Sequence, residues 1–160
     1  MERHNIDPVF DNDSRVLILG SFPSVKSREK AFFYGHPQNR FWKVIAGLFN
    51  EEAPETVQQK KGLLLRNHIA VWDVIASCEI TGSADQSISN VTPNDLDRIL
   101  SAADIRKIFC NGSKSFDLYM NFIYPKNGIK PEKLPSTSPA NAAFSLERLL
   151  EKWKIIVDFL

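Results

Sequence analysis

Two loops gather most of the side chains able to bind a ligand. The first runs from Gly20-Ser21-Phe22-Pro23-Ser24 to Tyr34-Gly35-His36-Pro37-Gln38-Asn39-Arg40-Phe41-Trp42, and the second is Leu134-Pro135-Ser136-Thr137-Ser138-Pro139-Ala140-Asn141. Ser21 and the backbone N–H groups around Phe22 can form a strand-to-loop nest for a phosphate, or a plain turn. Ser136, Thr137 and Ser138 offer hydroxyls and amides suited to phosphate oxygens, stiffened by Pro135 and Pro139; a proline-rich surface connection has the same composition. Lys26, Arg28, Lys30, Arg40 and Lys43 flank the first loop with only Glu29 among them. That patch either neutralises a few phosphates or is an ordinary solvated face.

These loops need elements to hold them. Residues 15–19 read as a short buried strand ended by Gly20, and a helix is expected to start at Asn39 with Phe41, Ile45, Leu48 and Phe49 on one face. At roughly twenty residues the connection between them is too long to be idle. Long loops at the C-terminal ends of strands are where open α/β sheets place ligands, so the two loops are expected to face each other across one cleft. Residues 56–67 predict a helix burying Leu63 and Leu64, and residues 69–75 a second strand. Residues 77–91 read as a long loop. Thr92-Pro93-Asn94-Asp95 has the form of a helix start, with Thr at the cap and Pro first, leading into Leu96, Ile99 and Leu100. Residues 106–110 predict a third strand, Asn111-Gly112 a turn, and residues 113–123 a helix. A short strand around 133–136 and a last helix over 142–159, capped by Asn141, complete the chain. Residues 1–14 are expected along the surface, with Phe10 as the packing contact. Alternating strands and helices predict an α/β fold, a three-layer α/β/α sandwich on a central four-stranded, mostly parallel sheet.

The chain of 160 residues suits one domain, 1–160, and its 43% hydrophobic content can fill a sizeable core. Twenty Lys and Arg against 19 Asp and Glu give a net charge of +1, which argues neither for nor against nucleic acid. Cys78 and Cys110 are far apart and read as free thiols of a reducing compartment. Two cysteines are too few for an ordinary iron–sulfur cluster, and His4, His36 and His68 lack ligand spacing, so no metal is expected. The polar start Met1-Glu2-Arg3-His4 and the absence of a long apolar run predict a cytoplasmic protein without membrane association.

The two loops resemble the motifs of the uracil-DNA glycosylase superfamily. Gly20–Pro23 matches the first motif and Ser136-Thr137-Ser138-Pro139-Ala140-Asn141 is similar to the second. His36-Pro37-Gln38-Asn39-Arg40-Phe41-Trp42-Lys43-Val44 is similar to a segment of the mismatch-specific uracil/thymine glycosylases. Together with Trp72-Asp73-Val74-Ile75-Ala76-Ser77-Cys78-Glu79 and Gly82-Ser83-Ala84-Asp85, it most resembles the hypoxanthine-DNA (deoxyinosine) glycosylase branch. The resemblance covers residues 15–150 and implies a monofunctional, cofactor-free hydrolysis that flips out a deaminated base and leaves an abasic site. It implies DNA containing a deaminated base as the partner; a monomer is the plain expectation.

Where several superfamily members carry an Asp or Asn in the first motif, this chain has Phe22, which neither accepts nor donates a proton. In the hypoxanthine branch the catalytic role falls to the Asn that matches Asn39, whose carbonyl oxygen can hold the attacking water. The same residue is also a favoured N-cap, worth about 1 kcal/mol, and both roles are compatible. Tyr34 matches an aromatic position that stacks on the flipped base; its ordinary alternative is packing beside Phe32 and Phe33. Ser21, Phe22 and Asn111 are expected to border the base, with Asn111 reading its polar edge or simply turning the chain. Ser24, Lys26, Arg40, Ser136, Thr137, Ser138 and Asn141 are expected to contact DNA. The position where related enzymes place a bulky wedge is Ala140. The competing readings are a uracil or thymine mismatch glycosylase and a non-catalytic DNA- or nucleotide-binding module.

Overall fold

Four consecutive aliphatic residues, Val16 to Leu19, leave no polar face, so their strand must be covered on both sides. In the computed structural model, which describes residues 1–4 and 6–160, they form a strand buried along its whole length. In chain order the elements are β1 (Glu2–Arg3), β2 (Val16–Gly20), α1 (Val25–Lys30), α2 (Phe41–Leu48) and α3 (Val57–Arg66). Then come β3 (Ile69–Asp73), β4 (Ile75–Glu79), β5 (Ser89–Pro93), α4 (Asp97–Leu100) and β6 (Lys107–Asn111). The chain ends with α5 (Ser113–Phe122), α6 (Tyr124–Asn127), β7 (Glu132–Leu134), α7 (Leu146–Trp153) and a 3-10 turn over Lys154–Phe159.

The main sheet has the order β3-β2-β6-β7 and every pairing in it is parallel, so the expected α/β sandwich on four strands holds. Its connections fix the position of the site. The chain leaves β2 and returns to β3 on one side, and leaves β6 and returns to β7 on the other. With right-handed crossovers those moves put α2 and α3 on one face and α5 on the opposite face. The strand order therefore reverses between β2 and β6, which opens a crevice beyond their C-terminal ends. Gly20 and Asn111 end those two strands, and Asp73 ends β3 in register with Gly20.

Several helices follow their sequence signals closely. Thr56 and Gln59 form a reciprocal capping box at the start of α3, which buries Leu63 and Leu64. α2 buries Phe41, Trp42, Val44, Ile45 and Ala46 and packs against α7 and α3.

Five expectations are corrected. The segment 69–79 is two strands, because the chain bends at Val74, whose N–H donates to the carbonyl of Gly20. β4 then pairs with β1 and β5 in a small antiparallel sheet, so 77–91 is largely ordered structure. Thr92 and Pro93 lie in β5, an edge strand where a missing proline N–H costs no ladder bond, and α4 spans only Asp97–Leu100. The last helix is capped by Ser145, whose hydroxyl accepts from the Arg148 N–H; Asn141 is held elsewhere. The N-terminal segment is also more than a surface strap: Ile6 and Val9 are buried, Val9 bridges to Val71, and β1 pairs with β4.

Candidate active site

The two loops do face each other. A cleft of about 320 Å³ lies beyond the C-terminal ends of the central strands, lined by both loops and by Gly20, Asp73 and Asn111. Ser21, Phe22, Ser24, Tyr34, Asn39, Ser136, Thr137 and Ser138 all border it. The first loop is not wholly irregular, since α1 interrupts it. Ser24 caps that helix, accepting from the Ser27 N–H, and Ser27 Oγ in turn accepts from the Gly35 N–H at 2.8 Å. His36 acts as a turn residue: its carbonyl accepts from the Asn39 N–H and its Nδ1 from the Gln38 N–H.

Asn39 sits where the loops meet. Its Oδ1 accepts from the Phe41 N–H at 2.9 Å and from the Thr137 hydroxyl at 2.9 Å. The backbone donor fixes the amide orientation, because a turned amide would set Nδ2 against an N–H group. Both lone pairs of Oδ1 are thereby engaged, so the expected grip on a water through that oxygen does not fit. The Nδ2 donor is the part of Asn39 left for a ligand. Thr137 is wholly buried, and its hydroxyl also accepts from Asn111 Nδ2 at 3.0 Å, while its N–H donates to Asn111 Oδ1 at 3.0 Å. Asn111, Thr137 and Asn39 thus form one chain that locks the second loop to both the sheet and the first loop. With its hydroxyl in that chain, Thr137 has no hydroxyl to offer a phosphate.

The two arginines of the basic patch are partly buried and engaged within the fold, whereas Lys26, Lys30 and Lys43 are exposed. The Arg40 guanidinium donates to the carbonyls of Phe144, Ser138 and Asn141, the last two at 3.0 Å, and its backbone N–H donates to the Thr137 carbonyl at 3.1 Å. Arg28 donates to the Gly82 carbonyl, pairs with Glu2 and lies over the Phe22 ring. Lys30 Nζ donates to the Gly35 carbonyl. Lys26 is exposed and pairs with Glu29 at 3.6 Å, whereas Lys43 is exposed on the surface of α2. Asn141 donates from Nδ2 to the Ser136 carbonyl, which closes the second loop. Ser136 and Ser138 each accept from a nearby backbone N–H within that loop.

Tyr34 is held in a left-handed backbone conformation, φ 51°, uncommon for a bulky side chain and costing about 1–2 kcal/mol. Its ring stacks on Phe41 with centroids 4.0 Å apart and planes 17° off parallel, so the packing role is realised. Its hydroxyl is buried and has no hydrogen bond of good geometry among the described residues. Burial, and then the Asp73 carboxylate, hold that hydroxyl far above the ordinary tyrosine range; the Asn111 amide beside it offsets part of the rise.

Asp73 is a buried acid lining the cleft that sequence reasoning passed over. It is 3% exposed, and its Oδ2 has no hydrogen-bond partner among the described residues. Burial pushes its carboxyl from 3.8 up to about 7. His4 Nε2 lies 3.8 Å away but donates to the Ile75 carbonyl at 2.8 Å, while His4 Nδ1 accepts from the Ile6 N–H. Burial lowers the His4 pKa as well, so the imidazole supplies no firm positive charge to Asp73. The available signal was a lone acid at the end of an otherwise apolar run, where a buried strand normally carries no charge.

The remaining titratable groups narrow the chemistry. Burial raises Cys110 to about 12 and also raises Cys78, so neither thiol is a ready nucleophile. Among the described residues no group of three or more His, Cys, Asp or Glu side chains is placed to hold a metal ion, and no helix is long and apolar enough to cross a membrane. The cleft offers amide and hydroxyl donors with one buried carboxyl, an arrangement suited to positioning and charge stabilisation.

A family model described as the uracil DNA glycosylase superfamily matches residues 8–160. A hypoxanthine DNA glycosylase of Methanosarcina acetivorans is 30% identical over 157 residues, covering 98% of each chain. A hypoxanthine DNA glycosylase of Methanosarcina barkeri is 32% identical over 117 residues, covering 72% of this chain and 74% of the relative. The solution NMR structure of a protein from Methanosarcina acetivorans, described as a candidate uracil DNA glycosylase, superposes with a TM-score of 0.81 at 31% identity, covering 97% of this chain and 96% of that one.

Proposed function

We propose that this chain, which belongs to the uracil DNA glycosylase superfamily, removes hypoxanthine from DNA that contains deaminated adenine. It is a DNA N-glycosylase, and the curated relatives that cover most of the chain carry the name hypoxanthine DNA glycosylase. The observation that supports the reading best is the cleft itself, with Asn39 and Thr137 at the junction of two loops beyond the switch point of the sheet. A base lifted from the stack enters such a cleft while its sugar stays near the rim.

Hydrolysis of the N-glycosidic bond passes through an oxocarbenium-like sugar, so the enzyme needs to orient a weak nucleophile and favour departure of the base. Asn39 Nδ2 is the donor available to hold the water oxygen or a ligand carbonyl, because Oδ1 is engaged. A lysine Schiff base is not needed for this step, and the product is an abasic site. Phe22, wedged between His4 and Arg28, contributes shape without proton chemistry.

The test is cleavage of labelled oligonucleotides carrying one hypoxanthine, uracil, thymine mismatch or xanthine, with alkali to break abasic sites. The wild-type protein and Asn39→Ala are run side by side without added metal. Cutting at hypoxanthine by the wild type and its loss in the variant, with lesion binding retained, is the expected result. Preference for uracil would replace the proposed substrate, and folding without cutting of any substrate would defeat the enzymatic reading.

A further inference from the structure

Two polar oxygens at the inner end of the cleft are left without a hydrogen bond of good geometry by the described residues. They are the buried Tyr34 hydroxyl and Asp73 Oδ2, in residues lining the cleft; Oδ2 lies 3.8 Å from His4 Nε2, and Oδ1 is the carboxylate oxygen beside Gly20. Both side chains converge over Gly20: a Cβ placed there would lie 2.5 Å from Asp73 Oδ1 and 3.1 Å from the Tyr34 oxygen. Leaving a buried polar group unpaired costs about 1–3 kcal/mol. Two such groups, held partly by a strained tyrosine backbone, point to a ligand that satisfies them.

Their depth says which part of the ligand that is. A flipped nucleotide remains tied to the DNA strand, so its sugar stays at the mouth and the base edge opposite the glycosidic bond goes deepest. Asn39 is half-buried, whereas Asp73 and the Tyr34 hydroxyl are buried. We infer that the Asp73 carboxylate and the Tyr34 hydroxyl are an acceptor–donor pair that reads the edge created by deamination, Asp73 accepting from the ring N–H and Tyr34 donating to the adjacent carbonyl.

The chemistry of that edge supports the pairing. Deamination of adenine turns a ring nitrogen acceptor and an amino donor into the N1–H donor and O6 acceptor of hypoxanthine. Against adenine, the carboxylate would face the N1 lone pair. Deamination of cytosine makes the same change, so uracil presents an N3–H and O4 in the same arrangement. The pair therefore reads the deamination itself and does not by itself separate purine from pyrimidine. The proposal rests on the chain's being a glycosylase for deaminated bases, and for its purine form on the preceding section. At neutral pH and above Asp73 is increasingly the carboxylate the scheme requires, given its carboxyl at about 7.

The test measures single-turnover excision of hypoxanthine, adenine and unsubstituted purine, the last lacking both O6 and the N1–H, by the wild type, Asp73→Asn and Tyr34→Phe. Tyr34→Phe keeps the ring stacked on Phe41 and is expected to slow hypoxanthine excision about tenfold to a hundredfold, with a much smaller effect on purine. Asp73→Asn, whose amide can present either face, is expected to narrow the preference for hypoxanthine over adenine by a similar factor. Equal slowing of hypoxanthine and purine would overturn the proposal, since it would place these groups on the sugar cation or in folding. An unchanged preference in both variants would overturn it as well. Where purine is cut too slowly to time, binding of the three lesions in the Asn39→Ala background gives the same comparison. If the wild type spares hypoxanthine but cuts uracil, the previous section fails while the pair is tested on uracil against cytosine.

Discussion

The Thr137 hydroxyl donates to Asn39 Oδ1 at 2.9 Å across a sequence separation of 98 residues, joining the two cleft loops side chain to side chain. The same hydroxyl accepts from Asn111 Nδ2 at the end of β6. Removing it unfastens Asn39 and leaves buried amide groups short of partners. Thr137→Val is expected to lower stability by about 1–3 kcal/mol and to slow excision by roughly tenfold to a hundredfold. Thr137→Ser keeps the hydroxyl and is expected to recover most of the activity. Chemical denaturation and single-turnover cleavage on the three proteins check this. Full activity in Thr137→Val would detach Asn39 from any need for fixed orientation.

Arg40 separates a clamp from a DNA contact. Its guanidinium holds the carbonyls of Phe144, Ser138 and Asn141 and so fixes the second loop from behind. Arg40→Met is expected to cost roughly 2–3 kcal/mol of stability. A lost phosphate contact would reduce the slope of log affinity against log salt by about 0.9. No such change is expected, and titration of lesion DNA at several salt concentrations measures it. A reduced slope with unchanged stability would return Arg40 to the DNA surface.

The difference between those two residues marks how far the sequence can be read. β2, α3, β6 and α5 are legible because each has a local cause: an unbroken aliphatic run, a capping box, a glycine turn. The meeting of the two loops followed from topology, since long loops at strand ends converge at a switch point. What stayed hidden depends on pairing between distant segments. Thr92-Pro93 has the local chemistry of a helix start, yet the free edge beside β4 takes it as a strand. Arg40 and Thr137 have surface chemistry by type, yet face inward because each finds partners about a hundred residues away. Asp73 was hidden for the opposite reason: its Oδ2 has no hydrogen-bond partner among the described residues, and only its burial beside Tyr34 reveals it.

Asp73 should make stability depend on pH in an identifiable way. Its folded pKa of about 7 lies above the ordinary 3.8, so the folded protein binds the proton more tightly than the unfolded chain. That contribution is fully present below 3.8 and is lost as pH rises through 7. The rise corresponds to about 4 kcal/mol at 1.36 kcal/mol per pH unit, an upper bound. Asp73→Asn, neutral throughout, is expected to match the wild type near pH 4 and to exceed it in stability at pH 8. His4 and Tyr34 face the same carboxyl and remain in both proteins, so the difference between the two denaturation series reports Asp73. Parallel series would show that the carboxylate is solvated.

Gly20 should be intolerant of even one methyl group, for a reason that a second substitution can expose. A Cβ at Gly20 would lie 2.5 Å from Asp73 Oδ1, closer than side chains approach, and 3.1 Å from the Tyr34 oxygen. Neither obstacle yields easily: Asp73 is rooted at the end of β3 in register with Gly20, and Tyr34 is stacked on Phe41. Gly20→Ala is expected to cost about 1–3 kcal/mol and to suppress excision by displacing both groups. Asp73→Ala removes the nearer obstacle, so Gly20→Ala should cost at least 1 kcal/mol less in that background, while excision stays low because the carboxylate is gone. Denaturation of the wild type, both single variants and the double variant yields the coupling energy directly. Additive costs would mean that the carboxyl swings clear of Gly20, and with it the convergence of Asp73 and Tyr34 on one point would fail.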